Sequence, residues 1–325
     1  MIKYSFIVPV KAINDYIYEA VPNILKIQRE DYEIIIYPDE ITTDIWPKTR
    51  QIGTGHCGPA EKRTRAIHDA AGEIIIFVDD DAYPEPNFLD ILDQDFKDVT
   101  ITAVGGPAIT PRHDSFLQKV SGAVFLSSLS GGSPERYVSI GKKRLVDDWP
   151  SVNLSMRKEA FAQLNGFDCE FWPGEDTKLC LDIVKKLNGK ILYDPALLVY
   201  HHRREGLWRH IKQVAGYGLH RGFFAKRYPE TSLRFKYFVP SLFLLFVSVG
   251  TIWVIADPTL LPWYGVLWAF YGLALLKSAA DIYRYEQNLA IVLHALYYIF
   301  FTHLSYGFSF LRGLVWTRNL KSKLR

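Results

Sequence analysis

Residues 73–86 read EIIIFVDDDAYPEP, and no other stretch of this 325-residue chain restricts its fold so tightly. Ile74, Ile75, Ile76, Phe77 and Val78 make an unbroken apolar run with a β-branched bias. Such a run predicts a strand buried on both faces, the kind found inside a parallel sheet. Asp79, Asp80 and Asp81 follow at once, and Pro84 and Pro86 break the chain into a loop. Three adjacent carboxylates repel one another, so a fold that gathers them at a strand's carboxyl end calls for a cation. That end is also where open α/β sheets take their ligands. Taken alone, the same residues fit a solvated acidic loop.

The neighbouring sequence supplies the sheet. YSFIVPV at residues 4–10 predicts a first strand closed by Pro9, and residues 12–29 predict a helix. EIIIY at 33–37 is a second buried strand, ending at Pro38 and Asp39. A glycine-rich loop at 53–59 leads into a helix over 60–71 that carries Lys62, Arg63 and Arg65. Helix 87–96 and strand 101–104 continue the alternation, with Gly105, Gly106 and Pro107 as a turn. Further on, strand 153–157 leads to a helix from Lys158, then a turn at 164–167 and a helix over 177–187. Strands 190–193 and 197–200 run into His201 and His202. This spacing predicts βαβ units and a mostly parallel α/β sheet. Gly53-Thr54-Gly55 follows a loop and lacks a third glycine, so it is no dinucleotide fingerprint, and no GxxxxGK[ST] occurs. Glu175 and Asp176 open a helix, where capping alone explains acidic residues. Adjacent histidines after a strand are commonly surface residues.

Three cysteines, Cys57, Cys169 and Cys180, are an odd number without metal spacing, which argues against a disulfide framework and for a reducing environment. Residues 5–10 read as a strand, so no signal peptide is expected. The net charge of +3 is local in origin, and no nucleic-acid partner is expected.

Taken in order, several blocks resemble the family 2 inverting glycosyltransferases, which have the GT-A fold. They are FIVPV, Asp39, GPAEKRTRAIHDAAGEIIIFVDDDAYPEPNF, VNLSMRKEAFAQLNGFD and PGEDTKLCLDIVKKLNGKILYDPALLVYH, spread over residues 6–204. Thr64 departs from a common asparagine, and Ser151-Val152 from a common glycine. The resemblance implies a Rossmann-like GT-A catalytic domain over residues 1–204. It also implies a UDP- or GDP-sugar donor and a divalent cation, Mg2+ or Mn2+. Asp81, the last carboxylate of the DxD motif, becomes the metal ligand. Asp79 faces the ribose or the metal's water shell, and Asp39 bonds the base or ribose. Pro9, Asp80 and Arg63 lie by the nucleotide sugar. Asp176 becomes the general base, with Glu175 orienting it or the donor. His201 completes the metal shell, and His202 competes for that role. Donor and acceptor choice is expected from the loops between Gly106 and Trp149 and around Trp172.

Apolar residues make up 49% of the chain, and the excess over a soluble enzyme collects after Tyr237. Residues 205–237 form a basic amphipathic segment with Arg209, Lys212, Arg221, Lys226, Arg227, Arg234 and Lys236, opposed by Glu205 and Glu230. Its glycines suit a bend, and its natural partner is an anionic lipid surface. A Gln-x-x-Arg-Trp motif used by membrane-bound relatives is absent, with Gln213 and the YGLHR stretch of 217–221 as stand-ins. Residues 238–256 and 263–280 are two apolar runs near the ~20 residues that cross hydrocarbon. Asp257 and two prolines link them, and Lys277 and Arg284 place the return end in the cytoplasm. A buried soluble helical pair is the alternative. In the run 289–311, His294, Tyr298, Thr302, Ser305 and Ser309 give one polar face, so it is a third span or an interfacial helix.

These expectations add up to a cell-membrane enzyme whose catalytic domain is cytoplasmic and whose acceptor is a lipid-linked saccharide or a glycan. The competing readings are a metal-dependent nucleotidyltransferase and a non-catalytic, membrane-bound partner that binds sugar nucleotides. The first would carry a basic glycine-rich loop after its first strand, where this chain has Lys11-Ala12-Ile13-Asn14.

Overall fold

The computed structural model describes residues 1–167, 171 and 173–320. Cys169 and Trp172, together with the tail's Lys321, Lys323 and Arg325, lie outside the described residues. The chain forms two compact units, Met1–Pro111 with Val138–His202, and Arg112–Tyr137 with Arg203–Leu320.

The first unit starts with β1 (Tyr4–Pro9), α1 (Asp15–Ile24), β2 (Tyr32–Tyr37), β3 (Thr49–Gln51), α2 (Pro59–Thr64), α3 (Ala66–Asp69) and β4 (Ile74–Phe77). It continues with β5 (Ala82–Pro84), α4 (Phe88–Asp95), β6 (Ile101–Gly105) and β7 (Ala108–Ile109). After α5 (Phe116–Ala123), which belongs to the second unit, come β8 (Arg144–Val146), β9 (Leu154–Arg157), α6 (Lys158–Gln163) and α7 (Glu175–Lys186). β10 (Lys190–Tyr193) and β11 (Val199–His201) end it.

Eight strands form one sheet in the order β3-β2-β1-β4-β9-β6-β10-β8. Four of its seven pairings are parallel, and β9 runs antiparallel between β4 and β6. β4 sits in the middle, buried along its whole length as its sequence predicts. Its side chains divide between two cores with the period of a strand. Ile74 and Ile76 join Phe6, Val8, Ile34 and Ile36 on one face. Ile75 and Phe77 join Ile7, Ile35, Phe161 and Leu179 on the other. Each such side chain contributes about 1.5–3 kcal/mol by leaving water.

The differences from the sequence reading have local causes. The helix expected over 12–29 is confined to α1, because the Asn14 side chain accepts the Ile17 N–H at 3.0 Å and caps it. Tight turns from Leu25 to Ile27 end it. β11 begins two residues later than expected, since Leu197 is held in a turn by its N–H to the Asp194 carbonyl, 3.2 Å. A second sheet, β5-β11-β7, was not anticipated.

Asp93 fastens α4 to the edge of this layer. It accepts from Lys3, from Tyr4 at 2.5 Å and from Arg29 at 2.5 Å. Burial opposes its charge, but these three donors outweigh burial and hold its pKa at about 2. A depressed carboxylate stabilises the fold above its unfolded pKa, and that gain is lost as pH falls through the folded value. Asp93→Asn is therefore expected to cost about 2 kcal/mol at pH 7 and to flatten the stability loss between about pH 4 and pH 2. Thermal unfolding across that window checks both.

The second unit contains α5, α8 (Leu207–Arg227), α9 (Pro229–Ser232), α10 (Phe235–Leu245), α11 (Thr251–Ala256), α12 (Leu261–Glu286) and α13 (Leu289–Leu311). A π-helical turn at Phe246–Gly250 joins α10 to α11, and π-helix Arg312–Trp316 extends α13. Asp257 accepts the Thr259 N–H at 3.0 Å and makes the tight link before α12. Three segments, Phe235–Ala256, Pro258–Glu286 and Leu289–Trp316, are long and apolar enough to cross a membrane, and they fit membrane association. α8 runs unbroken through its glycines, which serve packing instead of bending. A Cβ on Gly222 would overlap the Phe310 carbonyl of α13, and one on Gly218 the Tyr306 carbonyl. His210 of α8 is fully buried, hydrogen-bonded to Ser121 of α5 at 2.7 Å and to Thr302 of α13 at 2.9 Å. Burial lowers its pKa to about 4, so it stays neutral at physiological pH.

Candidate functional site

The three aspartates leave the central strand in a tight turn, with the Asp79 carbonyl accepting the Ala82 N–H at 3.2 Å. That turn feeds β5, which pairs antiparallel with β11 so that Ala82 faces His201. The small sheet thereby brings together two sequence blocks 120 residues apart. His201 Nε2 lies 3.1 Å from Asp81 Oδ1. One ligand atom from each of Asp79, Asp81 and His201 lies within 4.8 Å of the others, a set able to hold a metal ion. Asp81 is 5% exposed, while Asp79 and His201 are half-buried. Two carboxylates and an imidazole are a donor set suited to a hard divalent ion such as Mn2+ or Mg2+.

Neighbouring residues on a strand point to opposite sides, which separates the two histidines. His202 turns to Glu19, 3.1 Å away, and its ring lies 5.0 Å from that of Tyr16. Asp80 likewise points away from the other two aspartates and accepts from the Asn14 side chain at 2.8 Å.

Arg63 joins this cluster to the start of α7. From α2 its guanidinium donates to Asp79 at 2.5 Å and to Glu175 at 3.1 Å. Gly174, at φ 117°, takes the left-handed turn that starts α7 and sets Glu175 and Asp176 beside Arg63. Burial opposes the Arg63 charge, but Asp79, Glu175 and Asp176 more than offset it and keep the guanidinium protonated. Burial, then the neighbouring Asp176 charge, pushes the Glu175 pKa well up, while Arg63 draws it back. Asp176 is half-buried, and its Oδ1 accepts the Thr177 N–H at 2.7 Å. Removing the cation would strand two carboxylates. Arg63→Met is expected to lower stability by about 3–5 kcal/mol, read as a fall in Tm. Adding Glu175→Gln should recover part of it, because an amide then replaces a buried carboxyl that has lost its partner.

Asp39 occupies a second corner. Its N–H donates to the Lys11 carbonyl at 2.9 Å. Its carboxylate accepts from Lys62 and lies 3.4 Å from His56. Lys62 also donates to the Val10 carbonyl at 2.6 Å, one residue after Pro9, which stands opposite Tyr37 in the sheet. The Lys62 bond is the main reason the Asp39 carboxyl stays below the ordinary range. Lys62 and Arg63 are thus adjacent on α2, and each serves one acidic corner.

The structure brings Arg63, Asp79, Asp81, Glu175, Asp176 and His201 into one connected group. It sets Asp39 and Pro9 at the Lys62 corner and turns Asp80 and His202 elsewhere. Sequence reasoning assigned no role to Lys62 or Asn14. The available signal for Lys62 was its place on a short helix next to Arg63, since lysine is rarely buried unless paired. Asn153, also unassigned, donates to the Leu197 carbonyl at 2.7 Å and ties β9 to the β11 approach.

No family model matches the chain. A pre-mycofactocin glycosyltransferase of Mycobacterium tuberculosis (strain CDC 1551 / Oshkosh) is 28% identical over 173 residues, 53% of this chain. Those residues are 36% of that protein, so the chain spans little more than a third of this relative. A dolichyl N-acetyl-alpha-D-glucosaminyl phosphate 3-beta-D-2,3-diacetamido-2,3-dideoxy-beta-D-glucuronosyltransferase of Methanococcus voltae is 24% identical over 331 residues, 96% of this chain and 97% of that one. Among solved structures, mannosyltransferase PcManGT from Pyrobaculum calidifontis, in complex with GDP-Man and Mn2+, superposes with a TM-score of 0.57 at 16% identity, covering 98% of this chain and 88% of that one. That likeness shows a shared fold; in this chain the GT-A α/β layer is followed by three long apolar helices. These relatives are glycosyltransferases.

Proposed function

We propose that the chain is a membrane-anchored, inverting glycosyltransferase of family 2. It moves a sugar from a UDP- or GDP-sugar to a lipid-linked or glycan acceptor at the cytoplasmic face. The observation that carries this reading is the Arg63 bridge, which links the Asp79–Asp81–His201 cluster to the acidic start of α7. A donor reaction needs a cation-binding set at the diphosphate and a base across from it, and the bridge supplies both ends. In this reading residues 1–204 are the catalytic domain, 205–237 contact the lipid surface and 238–325 anchor the chain.

Asp176 accepts the proton of the acceptor hydroxyl as that oxygen attacks the anomeric carbon. The bond to the nucleoside diphosphate breaks on the opposite side, which inverts the configuration. Glu175, bonded to Arg63, keeps the base at the mouth of α7. Asp39 holds the nucleoside, with Pro9 and Lys62 fixing its corner, and Asp80 ties the turn to α1. Asp81, His201 and Asp79 would hold a divalent ion, which offsets the negative charge gathering on the departing diphosphate. Arg63 holds the Asp79 carboxylate in place through their 2.5 Å bond.

The test is transfer by the detergent-solubilised chain, from radiolabelled UDP- and GDP-sugars to polyprenyl-linked saccharides, with Mn2+ or Mg2+. Transfer abolished by EDTA, and an anomeric configuration opposite to the donor's by NMR, are expected. Metal-independent transfer would remove Asp81 from its role as metal ligand, and a retained configuration would remove Asp176 as the base.

A further inference from the structure

We propose that α13 does not cross the bilayer. It lies in the plane of the leaflet on the catalytic side, across the base of the α10–α12 hairpin, with α8 alongside it. The chain then crosses twice, and its lipid-facing platform is the α8–α13 pair. This rests on the reading that the hairpin is a membrane anchor, and site-directed cysteine labelling separates the two.

Length does not decide the matter. Leu289–Trp316 is 28 residues, about 42 Å at 1.5 Å per residue. Packing does. Over its carboxyl half α13 packs along the first three turns of α10 and runs down towards the start of that helix. The rings of Phe310 and Phe238 lie 4.8 Å apart, Ser241 donates to the Gly307 carbonyl at 3.0 Å, and Phe300 lies 5.9 Å from Phe243. At the same level His303 is 3.2 Å from the Tyr271 hydroxyl of α12. The far end of α13 also stays low, since the helix begins at Leu289, directly after α12 ends at Glu286 and Gln287 and Asn288 turn the chain. Its His294 packs 5.1 Å from Phe116 at the start of α5, and Ser127, just past α5, donates to Asp281 near the charged end of α12 at 2.8 Å. The distal turns of the hairpin instead pair with each other, Phe246 with Tyr264 at 4.8 Å and Thr251 with Tyr264 at 2.7 Å. Ile252, Trp253, Ile255 and Trp263 there are exposed. A third span would run up beside those turns, but both ends of α13 lie at the hairpin's base.

The partner on its other side gives an independent reason. Contacts between α8 and α13 climb together, His210 with Thr302, Gly218 with Tyr306, Gly222 with Phe310 and Lys226 with the Thr317 carbonyl. The two helices therefore run parallel and side by side. α8 carries Arg209, Lys212, Arg221, Lys226 and Arg227. A spanning α13 would draw these charges into hydrocarbon at roughly 2.5–3.5 kcal/mol each. Lying flat, α8 keeps them among headgroups. Leu293, Tyr297 and Phe308 of α13 and Val315 of its π-helical extension, all exposed and on one helical stripe, then meet acyl chains.

The test is single-cysteine labelling with a membrane-impermeant maleimide in sealed vesicles of both orientations, scored above the unsubstituted chain. Glu40→Cys, Thr259→Cys and Asn319→Cys report the catalytic layer, the hairpin tip and the end of the α13 segment. Glu40→Cys and Asn319→Cys are expected to react from one face and Thr259→Cys from the other, each at least about tenfold above the opposite orientation. Asn319→Cys reacting with Thr259→Cys would make α13 a span and overturn the proposal while leaving the anchor intact. All three reacting from one face would overturn the anchor, and the in-plane helix with it.

Discussion

Asp176→Asn is expected to lower kcat by about 10²–10⁴-fold, the range a lost general base costs, with donor affinity left within about twofold. The substitution is nearly isosteric, and the asparagine oxygen still accepts the Thr177 N–H now bonded at 2.7 Å. Arg63 keeps both remaining carboxylates, Asp79 at 2.5 Å and Glu175 at 3.1 Å. Two opposing electrostatic changes follow. Asp176 is the second cause, after burial, of the raised Glu175 pKa, so its neutralisation lets Glu175 ionise at lower pH, while Arg63 loses one of the three charges that offset its burial. A Tm measured beside the turnover separates lost catalysis from unfolding. Single-turnover kinetics with calorimetric donor titration separate the two quantities. Turnover that survives in Asp176→Asn but fails in Glu175→Gln would move the base to Glu175.

How much of this was legible depends on the kind of signal each element carries. β4 was readable because burial on both faces leaves an unbroken apolar run, and so were β1, β2 and β10. β3 is a polar, half-exposed edge strand of Thr49, Arg50 and Gln51, and no periodicity marks it. β5, β7 and β11 have three residues or fewer, and they exist only because they pair with one another. His201 meets Asp81 through that pairing. A reading of the strand before His201 could not choose between the two histidines, since the choice depends on the register of Ala82 against His201.

Charge posed the same difficulty. Lys62 and Arg63 read as basic positions on a helix, with Arg63 placed by the nucleotide sugar, and nothing in the sequence showed that both are buried by carboxylates distant in sequence, Asp39 for one and Glu175 for the other. In the apolar half, the glycines of α8 read as bends, and the polar face of α13 left a third span and an interfacial helix both open. The α8 glycines and Thr302 of that face prove to be packing devices. The glycines let two backbones approach, and Thr302 on the stripe satisfies the buried His210. Neither role is visible until the partner helix is known.

The second large effect is expected at Asp81. Asp81→Ala should reduce metal-supported transfer by about 10³-fold, equal to roughly 4 kcal/mol, as a lost cation ligand at a departing diphosphate implies. The turn itself should survive, because it is the Asp81 backbone carbonyl that accepts the His202 N–H at 3.0 Å and keeps β11 in register. What goes is the carboxylate 3.1 Å from His201 Nε2, leaving Asp79 and the imidazole as the remaining donors. Two ligands hold a labile divalent ion weakly, so raising Mn2+ tenfold should recover little of the activity. His201→Ala keeps both carboxylates, and hard cations prefer oxygen donors. Its defect should therefore be smaller and should shrink as Mn2+ is raised. Mn2+ binding followed by electron paramagnetic resonance, beside transfer rates across a metal titration, distinguishes the two variants. Asp81→Ala protein that binds Mn2+ as tightly as the parent would show that the ion is held elsewhere, and the three aspartates after β4 would then be the solvated loop that their sequence alone also allowed.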